Sequence, residues 1–213
     1  MPRNRSPRPR IGRPVSLILA AVLGCSADER PAQPADSVPA ATAVARANEA
    51  STCLVDSSGI APIRLGMSLD EARTALPQAT FERASDGDGA ALVAVKLGGD
   101  DVMTVSADEA DAEKPIDWSK TIESMETFNP ACGTADGIRP GSLVVDVERI
   151  LGRTTQIVRS EIEQREYITF ERRPAKLVFR IDYTGVFPEG TRETTAFAPN
   201  AKLLSIAVAK WAG

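Results

Sequence analysis

A segment that occurs twice constrains this chain more than any other feature of its sequence. Residues 59–77 (GIAPIRLGMSLDEARTALP) match residues 137–152 (GIRPGSLVVDVERILG) when Gly66 is aligned with Gly141. In both copies apolar residues stand at i, i+3 and i+7, the spacing of one buried stripe of an amphipathic helix. A helix of about ten residues is marginal alone and needs a surface to pack on. The match therefore predicts an internal duplication with one short helix in each unit.

The ends of both helices are marked in the sequence. Ser68 is expected to be the N-cap of the first helix, with Glu71 three residues later completing a capping box. Ser142 is expected to cap the second helix. Pro77 and Gly152 are expected to end the two helices.

Apolar segments after each helix predict strands, which are placed at 80–84, 91–97, 102–106, 121–128, 156–158, 162–170, 177–183 and 203–211. In the segment 177–183 the alternation is strict, so Leu177, Phe179, Ile181 and Tyr183 are expected to face the core. The predicted fold class is α+β, as two tandem repeats, each a short capped helix plus antiparallel strands. Unit one is placed at 52–131 and unit two at 132–213.

Residues 1–24 have the pattern of a secretory signal peptide. Five arginines and no acidic residue precede a short apolar segment at 15–23, which is too short for a permanent membrane span. The segment ends in Val22-Leu23-Gly24-Cys25, which resembles the bacterial lipobox. That resemblance implies lipid attachment to the Cys25 sulfur and cleavage before it. The alternative is an ordinary signal peptide with a cysteine nearby.

The lipobox resemblance also implies a location. A multiply acylated terminus holds a protein stably on a membrane. Ser26 follows the cysteine, where an aspartate would signal retention in the inner membrane, so the periplasmic face of the outer membrane is favoured. In a Gram-positive host the location would be the outer face of the single plasma membrane.

Residues 25–51 are rich in Ala and Pro and are interpreted as a flexible tether, since they offer too little apolar surface to form a core. The whole chain has 25 basic and 29 acidic residues, and removing the five leader arginines leaves 20 basic residues, a net charge of −9. An acidic mature protein argues against nucleic acid as a partner.

Two further cysteines, Cys53 and Cys132, stand at the starts of the two units. Export permits oxidation, so a disulfide between them is expected, the alternative being two separate thiols. Neither has a second cysteine or a histidine near it, which argues against a catalytic or metal role.

The residues around the first helix resemble a known family. Gly66-Met67-Ser68 with Leu69, Ala72 and Leu76, and their counterparts around Gly141, look like the SmpA/OmlA (BamE) type of envelope lipoprotein. Tandem units of this shape are also similar to the β-lactamase inhibitor protein fold. The resemblance implies protein–protein contacts in the cell envelope and no catalysis.

The composition excludes several chemistries. The chain has no histidine, which removes Ser-His-Asp and Cys-His systems and the commoner zinc sites. No phosphate-binding or dinucleotide glycine motif occurs. Glu161, Glu163 and Glu166 could form a carboxylate site, or they could line a solvated strand face. The turn 86–89 and the acidic segment 108–113 could bind calcium, or they could be ordinary loops. We expect no catalytic residue, no metal and no cofactor.

Five residues are candidates for binding. Arg64 and Arg139 occupy matched positions before their helices, where each could bind a partner's carboxylate or satisfy a group in its own unit. Trp118, Phe187 and Trp211 lie in loops or near the chain end, where they could anchor an interface or close the ends of the core.

These patterns favour a membrane-anchored, non-catalytic module that binds envelope proteins. The alternatives are an inhibitor of an envelope or secreted hydrolase and, less favoured, a carboxylate-based enzyme.

Overall fold

The computed structural model describes residues 53–162 and 164–212. The predicted leader (1–24), the predicted lipidation site Cys25 and the predicted tether (25–51) lie outside these residues, and the first unit is described from Cys53 onward. Among the described residues, no helix has the length and apolar character needed to cross a membrane.

Antiparallel strands dominate the described residues, which form a three-stranded and a nine-stranded sheet. The strands of the small sheet are β1 (Val55–Asp56), β2 (Gly59–Ile60) and β3 (Ile63–Arg64). The strands of the large sheet are β4 (Ala79–Ser85), β5 (Ala91–Leu97), β6 (Asp100–Ala107), β7 (Ile122–Thr127), β8 (Thr154–Arg159), β9 (Glu166–Phe170), β10 (Leu177–Ile181), β11 (Glu193–Thr194) and β12 (Leu203–Ala209). The helices are α1 (Leu69–Ala75) and α2 (Val144–Leu151).

The predicted fold class, α+β with two tandem helix-capped units, was wrong. The described residues form mostly antiparallel sheet, with 42% of them in strands and 9% in helices. Strands from both halves join one sheet in the order β11-β8-β9-β10-β12-β7-β6-β5-β4. The join is the antiparallel pair β7–β12, in which Met125 lies opposite Val208. Because this ladder is continuous, the two halves share one sheet and one hydrophobic core.

One face of the large sheet carries that core, and we call it the covered face. Val95 of β5, Met125 of β7, Phe179 of β10 and Ile206 of β12 are almost fully shielded from solvent there. The buried residues of both helices and of the small sheet belong to the same apolar cluster. The backbone N–H of Ile60 in β2 also donates to the sulfur of Met125 at 3.1 Å, which places the small sheet on this face.

The N-terminal cap of α1 is as predicted, and that of α2 is not. Ser68 accepts a hydrogen bond from the Glu71 N–H, and the Glu71 carboxylate accepts one from the Ser68 N–H, so the capping box is confirmed. The N-cap of α2 is Leu143, which makes no side-chain cap. Ser142 lies one residue too early, because it aligns with Met67 and not with Ser68. Its hydroxyl accepts a hydrogen bond from the Arg139 N–H and so orders the turn before the helix.

Three strand predictions in the second half extended too far, and one of them, the strand predicted at 203–211, ends at Ala209. The strand predicted at 162–170 begins at Glu166, and Ile162 is 85% exposed. Tyr183 was expected to face the core, but β10 ends at Ile181 and Tyr183 is exposed with a φ of 49°. The chain turns at this point, because a positive φ cannot continue a strand.

A disulfide joins Cys53 to Cys132, with the two Cα atoms 4.7 Å apart. Next to it, the Val55 N–H donates to the Gly133 carbonyl at 2.8 Å. Both cysteines are buried at the margin of the core. The start of the described chain is therefore held against the segment that connects β7 to α2.

Candidate binding site on the open face of the sheet

The second face of the nine-stranded sheet, which we call the open face, has a different composition. Side chains alternate along a strand, so the neighbours of core residues point away from the core. Glu126 follows the buried Met125, and Arg180 follows the buried Phe179. The open face therefore brings polar side chains of the central strands together.

An ion pair shows that the large sheet curls around this face. Asp86 lies in the turn that connects β4 to β5, and Arg165 precedes β9; a carboxylate oxygen of Asp86 is 3.8 Å from a guanidinium nitrogen of Arg165. Four strands lie between β9 and β5 in the sheet. In a flat sheet those two strands would be about 24 Å apart. Asp86 and Arg165 can meet only because the sheet bends, with its open face on the inside of the curve.

The bend forms a groove of about 440 Å³. Asp86 and Arg165 lie on opposite sides of it. Its floor consists of small, hydroxyl and aliphatic side chains from β5, β6, β7 and β12, namely Leu92, Thr104, Ser106, Ser124, Ala207 and Ala209. Such short side chains leave room above the strands for a ligand or for side chains of a partner.

A charged network lies in this groove. The Arg180 guanidinium donates from Nη1 to Oε1 of Glu126 at 2.8 Å, and the Ser205 hydroxyl donates to the same oxygen. The Arg180 and Glu126 side chains are 13% and 22% exposed. The network is therefore mostly shielded from water, while part of it remains accessible from the groove.

Exposed aromatic rings border the network. Phe128 is 46% exposed, and the Arg180 guanidinium carbon is 5.6 Å from the centre of its ring, within cation–π range. Trp211 is 72% exposed and also lines the groove. A second depression, of about 530 Å³, shares Trp211 and Tyr167 with the groove and adds Arg173. Trp211 thus stands between two adjoining concave surfaces.

Of the predicted aromatic candidates, the structure brings only Trp211 to the groove. Trp118 packs against the core, edge-to-face with Phe81, and the Arg73 guanidinium lies 4.4 Å from the centre of its ring. Phe187 is half-buried and is covered by the Arg159 guanidinium at 4.3 Å. Both rings contribute to the core margin.

The predicted arginines Arg64 and Arg139 lie away from the groove. Arg64 forms an ion pair with Asp56 at 3.3 Å. Arg139 donates to the carbonyl of Gly137 at 3.5 Å. Each therefore binds a group in its own segment.

The glutamates considered as a carboxylate site are dispersed. Glu166 is buried on the covered side, where one oxygen accepts from Arg159 at 2.5 and 3.1 Å and the other accepts from the Gly185 N–H at 2.9 Å. Glu161 is exposed and pairs with Arg192. Glu163 is outside the described residues. Glu166 therefore joins the loop after β10 to strands β8 and β9.

The acidic segment 108–113 is ordered by an arginine. Arg83 of β4 donates two hydrogen bonds to the Glu109 carboxylate, at 2.6 and 2.8 Å, and a third to the carbonyl of Lys114. The bonds from Arg83 hold the pKa of Glu109 below its ordinary value, and the same bonds raise the pKa of Arg83. Within the residues that the structure describes, no group of three potential metal-ligating side chains is assembled.

Arg180, Glu126 and Phe128 were not identified from the sequence. Arg180 and Glu126 occupy the polar positions of alternating strands, where a charged residue is expected whether or not it has a function. The signal that would identify them is the curvature of the sheet, and no local pattern encodes it.

Comparison with known proteins shows a relationship of fold. No protein-family model and no curated protein matches the chain. The crystal structure of the uncharacterized protein yfeY from Escherichia coli is similar, with a TM-score of 0.50 and 13% sequence identity, over 74% of this chain and 99% of yfeY. At this identity the likeness concerns the architecture alone.

Proposed function

We propose that this protein is an exported lipoprotein, anchored to a membrane through Cys25, that binds another envelope protein on the open face of its large sheet. The observation that carries the proposal is the composition of the curved face. It combines Trp211, Tyr167 and Phe128 with three arginines in two adjoining concave surfaces. Trp, Tyr and Arg are the residues that most often dominate the energy of protein interfaces.

The rarity of aromatic residues in this chain strengthens the argument. The whole sequence has two tryptophans and two tyrosines, and one of each lines the groove. Trp211 is also the more exposed of the two tryptophans, although burial in the core would stabilise the fold. An exposed tryptophan beside a concave polar surface is typical of an interaction site.

The charge arrangement supports binding without catalysis. Glu126 is bound by Arg180 and Ser205, and Asp86 faces Arg165. A general acid or base needs a proton-transfer group that can reach a substrate, and a glutamate held by two donors is poorly suited to this role. The groove supports recognition through shape and hydrogen bonding.

Site-specific photocrosslinking in cells tests the proposed surface. Benzoylphenylalanine is placed at Trp211 or Ser106 in the groove, and at Ile150 on the outer side of α2 as the matched control. Ile150 is 38% exposed, and α2 packs on the opposite face of the sheet. We expect one repeated crosslinked partner from the groove positions and none from Ile150.

Each outcome of the crosslinking has a meaning for the proposal. An envelope protein crosslinked from the groove supports it, and a single hydrolase would indicate an inhibitor. Equal crosslinking from Ile150 and Trp211, or none above the unmodified protein, would contradict binding through this face.

The lipid anchor has its own test. Replacing Cys25 with Ser removes the acceptor sulfur, so we expect the protein to move from the membrane fraction to the soluble periplasmic fraction or the medium. Metabolic labelling with a fatty-acid analogue provides the direct measurement. Labelling that persists in Cys25→Ser would exclude Cys25 as the attachment site.

A further inference from the structure

Arg180 has hydrogen-bonding capacity that the protein does not use. A guanidinium carries five N–H donors on three nitrogens. Nη1 of Arg180 binds Glu126, whereas Nε is buried without a hydrogen-bond partner among the described residues. A buried donor without a partner destabilises the free protein, so an incoming acceptor that reaches it recovers that loss on binding.

Glu126 does not bind the Arg180 Nε. Its Oε1 atom accepts from both Arg180 and Ser205. The Ser205 side chain belongs to a fully buried residue in β12, and its strand pairing sets it opposite Arg180. The network therefore holds Arg180 through Nη1, and it leaves the Arg180 Nε without an acceptor among the described residues.

The local charge identifies the kind of acceptor. The groove and the depression beside it are lined by three arginines, Arg165, Arg173 and Arg180, and by two acids, Asp86 and Glu126. The protein as a whole carries a net charge of −4. A local excess of arginine in an acidic protein favours an acidic partner and disfavours a basic one.

We propose that Arg180 anchors a carboxylate subsite, and that the groove takes an extended acidic segment of a protein partner. An Asp or Glu side chain of that segment binds the guanidinium of Arg180, and its apolar neighbours contact Phe128 and Trp211. A planar guanidinium matches a carboxylate with two parallel hydrogen bonds, and a neutral amide cannot reproduce the charge. This inference rests on the proposed function, because it names the chemistry of the partner at the same face.

The role of Glu126 gives the inference a distinctive consequence. If a partner's carboxylate binds Arg180, Glu126 competes with it electrostatically. The variant Glu126→Gln keeps the side-chain shape and an oxygen acceptor for Arg180 and Ser205, and it removes the negative charge. We expect it to bind an acidic peptide more tightly than the unmodified protein, on the order of tenfold for a close charge pair.

The experiment uses the full-length protein in detergent. Peptide binding is followed by NMR, through the chemical shifts of the Arg180 Nε–H and the Trp211 indole N–H. The probes are three pentapeptides. The first is acetyl-Ala-Leu-Glu-Leu-Ala-amide, the second has Gln in place of Glu, and the third has Gln with a free C-terminus. We expect saturable shifts with the Glu peptide and at least about tenfold weaker binding of the Gln peptide, which corresponds to one charge-assisted contact.

Two variants assign the effect to Arg180. Arg180→Gln is combined with Glu126→Gln so that no unpaired charge remains, and it should lose the preference for Glu over Gln. Arg173→Gln removes an arginine from the neighbouring depression and should keep that preference. The amide spectrum of each variant shows whether it is folded.

Several results would overturn the inference. They are equal binding of the Glu and Gln peptides, no saturable shift at millimolar peptide, an unchanged preference in the double variant, or weaker binding by Glu126→Gln. If the third peptide binds as tightly as the Glu peptide, the group that Arg180 recognises is a terminal carboxylate and not a side-chain carboxylate. The photocrosslinking from Trp211 is independent of these results, so loss of the carboxylate preference with crosslinking retained leaves the proposed function in place.

Discussion

Neighbouring residues of the same strands have opposite environments on the two faces of the large sheet. Phe179 and Ile206 are shielded from solvent on the covered face, and one residue further along, Arg180 and Ala207 line the groove. The covered face is closed by two helices and the small sheet, whereas the open face is shaped by the bend of the sheet itself. The first arrangement stabilises the fold, and the second leaves a concave, partly polar surface accessible.

Two arginine–glutamate pairs show the same contrast. Glu166 on the covered side is buried, and three hydrogen bonds from Arg159 and the Gly185 backbone satisfy it. Glu126 on the open side is partly accessible, and the Nε of its partner Arg180 is buried with no acceptor among the described residues. The pair in the groove is the one whose hydrogen bonding is incomplete.

The largest expected difference in stability between the two faces comes from replacing one aromatic residue on each face by alanine. Phe179→Ala removes a buried ring that packs edge-to-face on Phe170, and should lower the free energy of unfolding by about 3–5 kcal/mol. Trp211→Ala should change it by no more than about 0.5 kcal/mol, because the ring is mostly exposed. Urea unfolding of both variants measures the difference. If both variants lose a similar free energy of unfolding, Trp211 on the open face stabilises the fold as much as a core residue does.

The next largest effect concerns the two glutamates. Glu166→Ala leaves Arg159 and the Gly185 N–H without their acceptor and should cost about 3 kcal/mol. Glu126→Gln retains a hydrogen-bonding side chain and should cost about 1 kcal/mol. Thermal unfolding at one salt concentration compares the two. A larger loss for Glu126→Gln would show that the groove network is chiefly structural.

The pH dependence of stability tests a third arginine–glutamate pair, Arg83 and Glu109, at the margin of the covered face. The hydrogen bonds from Arg83 lower the pKa of Glu109 from its ordinary value of 4.5. The stability that Glu109 contributes is therefore complete above pH 4.5 and is lost as the pH falls through its lower folded pKa. Glu109→Gln should cost about 2 kcal/mol at pH 7, and the difference from the unmodified protein should shrink in acid. A difference independent of pH between 7 and 3 would exclude this linkage.

The smallest expected effect is at the helix caps. Ser68→Ala removes the side-chain acceptor of the capping box and should cost about 1 kcal/mol. Ser142→Ala should cost less, because Ser142 precedes the N-cap of α2 and accepts a bond from a turn. Chemical unfolding of the two variants provides the measurement. Equal losses would mean that the turn bond contributes as much as a helix cap.

Local patterns in the sequence accounted for the local structure. The capping box at Ser68 depends on residues three apart, and the strand 91–97 depends on its own apolar run, so both could be predicted. Ser142 was wrongly predicted to be the N-cap of α2, because the residue that aligns with Ser68 is Leu143. From the duplication we predicted two tandem units. That prediction was wrong because nothing in the local sequence pattern shows that β7 pairs with β12. That pairing joins residues about eighty positions apart, such as Met125 and Val208.

The candidate site was only partly predictable for the same reason. Trp211 could be identified because an aromatic residue beside a loop or chain end is a candidate interface anchor. Arg180 and Glu126 come together across β7, β12 and β10, and their meeting depends on strand order and curvature. A sequence shows that both positions are polar, but not that they share a groove.

The bond between Cys53 and Cys132 has a mechanical consequence. A pulling force applied to the chain before Cys53 reaches Cys132 through the sulfur atoms, and the segment between the two cysteines carries no tension. The bond spans 79 positions, so about 270 Å of extended chain cannot be released while it is intact. In the proposed lipoprotein, where a membrane would hold the N-terminal end, tension along the backbone would enter the folded part at Cys132. Strands β4 to β7 lie between the two cysteines, so tension from the N-terminal side would not unravel them, or the groove residues that they carry, while the bond is intact.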